Sequence, residues 1–391
     1  MDKKPSPIEY HEHKPLSAIE KDHGAVYLLN FLDRGNIGNS KVLNAETRDD
    51  LLQQTHMTSN NYALTVTLFS LAYTLFEVPS NWVMKHYVRP SMWLGFLLFC
   101  WGVLTMGFAG VKSYASVVVL RFFIGVFEAG FFPGDAFLLW FCLPDYPARA
   151  TWLNSSDKHF AVSRLESRGG GYNRAHASHE EIFQTLFSPR MLAHYLAYIA
   201  DVVPQGSFTF FTPTIVTGLG YTSIHAQLLT VPPWVVGFCV AITLSYSADH
   251  FDARGWHITT ASLVGGIGWL TAGLLPPDAY GKRYGCLCLA AAGAFPAAPA
   301  MTNWVTCNTP SFLTIPLAIA LHNSSAGIGQ IIAQWIWKAG EAKDGYPTGN
   351  FVCAGCSFFV AVVAAGLRIT YGVMNRREVR DASGEKRVWA Y

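Results

Sequence analysis

Arg121, Glu128 and Asp135 interrupt one long apolar stretch, YASVVVLRFFIGVFEAGFFPGDAFLLWFC from Tyr114 to Cys142, at seven-residue intervals. Seven residues is close to two helical turns, so the charges fall near one face, with Arg121 and Glu128 roughly 10 Å apart along the axis. A segment this long and apolar spans a bilayer, where a charge is costly unless it faces protein or a water-filled path. Burial raises a carboxylate's hold on its proton, and a neighbouring cation lowers it. Glu128 is therefore suited to load and release a proton, and Arg121 to meet an anion. A permanent ion pair between helices is the plainer alternative. Asp135 follows the bend at Pro133-Gly134, which leaves its phase against Glu128 open.

Other polar residues stand in apolar surroundings. Asp201 and Gln205, four apart, share a helix face and are candidate substrate contacts, with His194 on the same span. His194 and His322 read as hydrogen-bonded packing residues rather than proton relays. Glu77 and Asn81 lie four apart around Pro79, which removes a backbone donor and can kink the helix; a latch against a neighbouring helix fits them better than substrate contact. Asp33 and Arg34, with Asn36 and Asn39, enter the membrane after the short run AVYLLNFL, either as an exposed helix end or as gating and proton-coupling charges inside a lobe. Asp249 and Arg254, in SADHFDARGW, stand at a helix boundary and read as a conformational latch.

The elements that must position these residues are membrane spans. Of the 391 residues, 51% are hydrophobic and only 14% charged, too apolar for an ordinary soluble enzyme, and a net charge of +2 gives no reason to expect nucleic acid. Nine segments are long and apolar enough to cross a bilayer: approximately Tyr62 to Met84, Met92 to Val111, Tyr114 to Cys142, Met191 to Leu219, Ala226 to Ala248, Ile258 to Leu275, Tyr284 to Val305, Phe312 to Trp337, and Phe351 to Met374. The run from Ala25 to Leu32 is a truncated tenth. Basic residues concentrate in the linker, at Arg149, Lys158, Arg164, Arg168, Arg174 and Arg190, and after Met374, which places both segments and the N-terminus in the cytosol. Lys282 with Arg283, and Lys338 with Lys343, run against that bias.

The expected organisation is a cytosolic tail (1–24), an incomplete first lobe of four spans (25–142), a cytosolic linker (143–190), a second lobe of six spans (191–374) and a cytosolic tail (375–391). Pro232, Pro233, Pro296, Pro299, Gly327 and Gly329 read as helix breaks of the kind that line a cavity. Most cysteines lie in apolar runs and behave as small hydrophobes, and the Cys353-x-x-Cys356 pair lacks a second pair or histidine cluster to bind metal. No cofactor is expected. HExxH, paired catalytic and nucleotide-loop motifs are all missing, so an enzyme is not expected either.

Four strings carry a resemblance: FLDRGNIGN (31–39), EVPSN (77–81), RFFIGVFEAGFFPG (121–134) and FTPTIVTGLGYTSIHAQLLTVPPW (211–234). Together they resemble the fungal anion:cation symporter family of the major facilitator superfamily, the group of allantoate permease-like and vitamin-acid permeases, from about Val26 to Met374. The resemblance implies an all-α membrane protein of two helical lobes. It implies a monomeric, proton-coupled carrier in the plasma membrane that takes up a small organic anion by alternating access. Arg121, Asp201 and Gln205 would meet substrate, Glu128 and Asp33 would couple protons, and Arg34, Glu77, Asn81, Asp249 and Arg254 would gate or brace. Family members have twelve helices, whereas here Phe141-Cys142 runs directly into the linker-like LPDYPARATWL, as though the fifth and sixth spans were missing, leaving about 10 of 12. A truncated or mis-spliced, transport-inactive product is the alternative reading. A carrier-derived membrane sensor ranks below it, since no signalling domain follows Met374.

Overall fold

Each of the nine expected spans contains a helix, and the helix ends follow local chemistry. The computed structural model describes residues 37, 40, 50–88, 90–129, 179–218, 228–309, 314–376 and 389–390. Asp33, Arg34, Asp135 and most of the linker lie outside the described residues.

After a single turn, α1 (Leu51–Gln54), the Thr58 side chain accepts from the Asn61 N–H and starts α2 (Ser59–His86). Pro90 opens α3 (Pro90–Gly107), where its missing N–H costs nothing. Ser113 caps α4 (Tyr114–Glu128) through the Ser116 N–H. The linker ends in the short α5 (His179–Leu186). The second lobe follows as α6 (Pro189–Gly218), α7 (Val231–His250), α8 (Arg254–Leu274), α9 (Tyr280–Asn308), α10 (Ile315–Trp335) and α11 (Pro347–Arg376).

The expected helix breaks are not breaks. Pro232 sits in the first turn of α7, where its N–H would have no helical acceptor in any case. Pro296 and Pro299 lie inside the unbroken α9, and Gly327 and Gly329 inside the unbroken α10. The small residues serve close approach instead. A Cβ on Gly293 would collide with the backbone of Gly265, so these glycines set how tightly α8 and α9 cross.

In the second lobe α8 packs against α9 and α11, α6 against α10 and α11, and α7 chiefly against α9. In the first lobe α4 packs on α2 and α3 around Phe69, Trp101 and Ile124. The lobes meet where α10 lies between α2 and α6. At the end of the molecule that carries Tyr62 and Trp337, an apolar cluster crosses the boundary: Ile37, Tyr62 and Val66 of the first lobe pack with Val203, Phe208, Trp269 and Trp337 of the second.

One of the charges against the cytosolic bias has a local explanation. Arg283 is buried and donates to the carbonyl of Gly345, which the Asn350 amide also reaches, so it is a structural donor rather than a free loop charge. Nearby, Glu341 accepts from the Thr348 N–H in the first turn of α11 at 3.0 Å. Hydrogen bonds from Thr348, followed by the weaker pull of Lys338, hold this carboxyl below the usual carboxylate range.

The expected cytosolic tail, residues 375–391, includes a residue packed on the second lobe. Trp389 is buried against the second lobe. Its backbone N–H and carbonyl both pair with the Asn375 amide.

Candidate functional site

On α4 the buried positions are Val117, Arg121, Ile124, Gly125 and Glu128, a single face. Arg121 and Glu128 are 7% and 1% exposed, so both side chains are covered by protein. The guanidinium of Arg121 lies over Phe108 and Phe69, 5.0 and 5.8 Å from the ring centroids. Aromatic faces at this distance attract and shelter a cation in an apolar interior. A Cβ on Gly125 would collide with the Phe69 carbonyl, so this glycine lets α4 press against α2 and holds Arg121 beside it.

On α6 the expected pair is present: Gln205 Nε2 donates to Asp201 Oδ2 at 2.6 Å, and reaches the Ala294 carbonyl of α9 at 3.2 Å. Asp201 is 3% exposed. Two turns along α6, His194 Nε2 meets the Tyr371 hydroxyl at 3.0 Å, the packing role expected of it. His322 departs from expectation. It lies against the Tyr198 ring, centroids 3.9 Å apart, and among the described residues neither of its ring nitrogens has a hydrogen-bond partner. Stacking, rather than hydrogen bonding, fixes it.

The lobe boundary is a polar seam. Trp335 Nε1 donates to Thr67 Oγ1 (3.1 Å), Ser70 Oγ to Gln330 Oε1 (3.2 Å) and Ser324 Oγ to Glu77 Oε2 (3.3 Å). Between them, a Cβ on Gly327 would overlap the Thr74 hydroxyl. The partners advance along α2 as they retreat along α10, the register of two antiparallel helices in continuous contact. Glu77 thus meets α10 across the boundary from α2. Asn81 is on the same helix, and nothing is described of its side chain.

Asp249 and Arg254 form an ion pair at 2.9 Å, with Asp252 2.7 Å from the same guanidinium, fastening the turn between α7 and α8. Asp249 is well exposed, so the pair is worth at most about 1 kcal/mol. Sequence reasoning missed Thr67, Ser70, Thr74, Gln330 and Gln334. The available signal was the row Asn323, Gly327, Gln330 and Gln334, whose spacing of four, three and four is one face of a helix. Gln334 is 2% exposed, and among the described residues neither atom of its amide is paired. No group of three or more metal-ligating side chains occurs among the described residues.

Residues 25–139 match the Major Facilitator Superfamily. Over 95% of this chain and 86% of the relative, the sequence is 40% identical to the MFS transporter prlL of Fungal sp. strain NRRL 50135. At 22% identity, covering 79% of this chain and 68% of the relative, it is also similar to the high-affinity nicotinic acid transporter of Saccharomyces cerevisiae. Among solved structures, a bacterial homologue of the human lysosomal transporter Spinster, inward-facing and unoccupied, has the same fold, with a TM-score of 0.61 and 13% identity over 91% of this chain and 97% of that chain. With its helices arranged as two lobes, its charges buried within them, and a relative of this identity spanning nearly its whole length, the chain belongs to the major facilitator superfamily of membrane transporters.

Proposed function

We propose that the chain is a proton-coupled carrier of a small organic anion, a carboxylate, vitamin or ureide, working by alternating access in the plasma membrane with both termini cytosolic. One observation carries this reading: a cation and a carboxylate, Arg121 and Glu128, occupy the single buried face of α4. Burial of both signs of charge within a membrane span is costly and is retained where an ion or proton must pass. Arg121 attracts the anion and Glu128 carries the proton. Asp201 with Gln205 supplies polar contacts from the second lobe, and Glu77 braces the seam. Asp33, Arg34 and Asn81 keep the coupling and gating roles expected of them, and Asp249 with Arg254 acts as a latch. The nicotinic acid transporter among the relatives handles a carboxylate, which supports this substrate class. The test is uptake of labelled nicotinate into proteoliposomes with and without an imposed pH gradient. Gradient-driven uptake is expected, and Glu128→Gln is expected to abolish its pH dependence. Unchanged coupling in that variant would refute the role given to Glu128.

A second reading has its own support: a chain shortened by two spans and inactive in transport. The alignment to prlL runs over 435 positions, whereas 95% of this chain is about 371 residues, so about 64 positions have no counterpart, room for two spans of about 20 residues with their loops. Inserting the relative's fifth and sixth spans between Cys142 and Leu143 separates the readings. Uptake only by the lengthened chain supports the shortened-product reading, and uptake by the chain as it stands removes it.

A further inference from the structure

Trp389 and Ala390 are held by a pattern of contacts that recognises main chain. Asn375 Oδ1 accepts from the Trp389 N–H at 2.8 Å while its Nδ2 donates to the Trp389 carbonyl at 2.9 Å. Asn308 does the same for Ala390: its Oδ1 accepts from the N–H at 2.9 Å and its Nδ2 donates to the carbonyl at 3.3 Å. Trp304 Nε1 adds a second donor to the Ala390 carbonyl at 2.9 Å. Each asparagine amide thus mimics a neighbouring strand, satisfying both polar groups of one residue. The Asn308 amide is oriented by its own bond to the Trp304 carbonyl at 3.0 Å, and is 2% exposed, so it is set in place by the lobe.

Side-chain selection is added to this. The Trp389 ring stacks on Tyr371, interplanar angle 21°, and the guanidinium of Arg190 lies 4.2 Å from the Trp389 ring centroid. A flat aromatic between a phenol and a cation is a demanding fit that few side chains meet. The groove draws on α6 through Arg190, α9 through Trp304 and Asn308, and α11 through Tyr371 and Asn375.

We propose that this end of the second lobe is a peptide-binding groove, and that its ligand is the chain's own segment around Trp389, docked in cis. The two asparagines read backbone, and the Tyr371–Arg190 slot reads the tryptophan. When occupied, the groove clasps three helices at one end and covers the His194–Trp304–Tyr371 cluster that lies beneath it. The inference is independent of substrate and coupling ion.

Trypsin tests it on the full chain in detergent. Cleavage after Arg387 needs the following residues extended in the protease, so docking of Trp389 and Ala390 protects that bond, while cleavage after Arg377 and Arg380 provides an internal reference. Cleavage after Arg387, relative to those sites and to the free peptide KRVWAY, is expected to be slow. Asn375→Leu and Arg190→Gln, which leave the cut sequence untouched, are expected to speed it about tenfold or more. Trp389→Ala, which empties the aromatic slot, is expected to do the same once normalised to its own free peptide. Cleavage after Arg387 as fast as in the free peptide, or insensitivity to all three substitutions, would overturn docking. Protection that disappears on dilution would overturn docking in cis.

Discussion

α7 and α10 are both membrane-length helices of the second lobe, yet among the described residues one has a partner on each side and the other does not. α10 lies between α2 and α6, with polar side chains facing one and close-packed glycine the other. α7 leans chiefly on α9. It turns outward Val231, Val235, Phe238, Ile242 and Tyr246, a stripe spaced four, three, four and four whose members are 51% to 75% exposed. Burial against protein therefore differs far more than apolarity does. A bilayer accepts an oily stripe at no cost, whereas the row Asn323, Gly327, Gln330 and Gln334 has to be covered by protein.

The largest effect is expected from overpacking the seam. Gly327→Leu has no space beside Thr74 and should lower the stability of the detergent-solubilised chain by about 1–3 kcal/mol, read by thermal unfolding, and abolish cross-linking between cysteines placed at Ser70 and Gln330. Retained cross-linking would mean that the lobes do not depend on this contact. Next, Ser70→Ala leaves the Gln330 oxygen without its donor and should cost about 1 kcal/mol in the same assay.

Glu341→Ala removes a side-chain acceptor from the start of α11 and should cost about 0.5–2 kcal/mol. Because this carboxyl is held below the usual range in the folded chain, its contribution is present above the unfolded carboxylate pKa and is lost as pH falls through the folded one. Acidification should therefore narrow the gap between wild type and Glu341→Ala, and a gap that widens in acid would sink the assignment. The smallest effects belong to α7: Val235→Ala and Ile242→Ala should change detergent stability by less than about 0.5 kcal/mol. If the part of the relative that has no counterpart in this chain is inserted and these positions become sensitive, the stripe is the face that this part covers.

The sequence revealed the helices more readily than the contacts between them. A helix lies in each of the nine expected spans, and four of the described helices are long and apolar enough to cross a membrane, because a run of about 20 apolar residues has few other uses. Asp201 with Gln205, and Arg121 with Glu128, could be paired because helical spacing fixes which side chains share a face, whatever the tertiary structure. The seam was hidden. On the α2 side Thr67, Ser70 and Thr74 are neutral and small, and within an apolar run nothing distinguishes a residue that bonds another lobe from one that bonds its own preceding turn, as Thr67 and Thr74 also do. Trp389 was hidden for the opposite reason. Its surroundings, REVRDASGEKRVWAY, are charged enough to look solvated, and only the folded lobe supplies the asparagines that bind its backbone.

The apolar cluster that joins the lobes through Tyr62, Val66, Phe208 and Trp337 has an electrical consequence. An inorganic ion crossing it would have to shed its water among hydrocarbon and ring carbons, with no carbonyl row to replace the hydration shell. While that stopper is seated, this end of the boundary between the lobes offers an inorganic ion no hydrated route across.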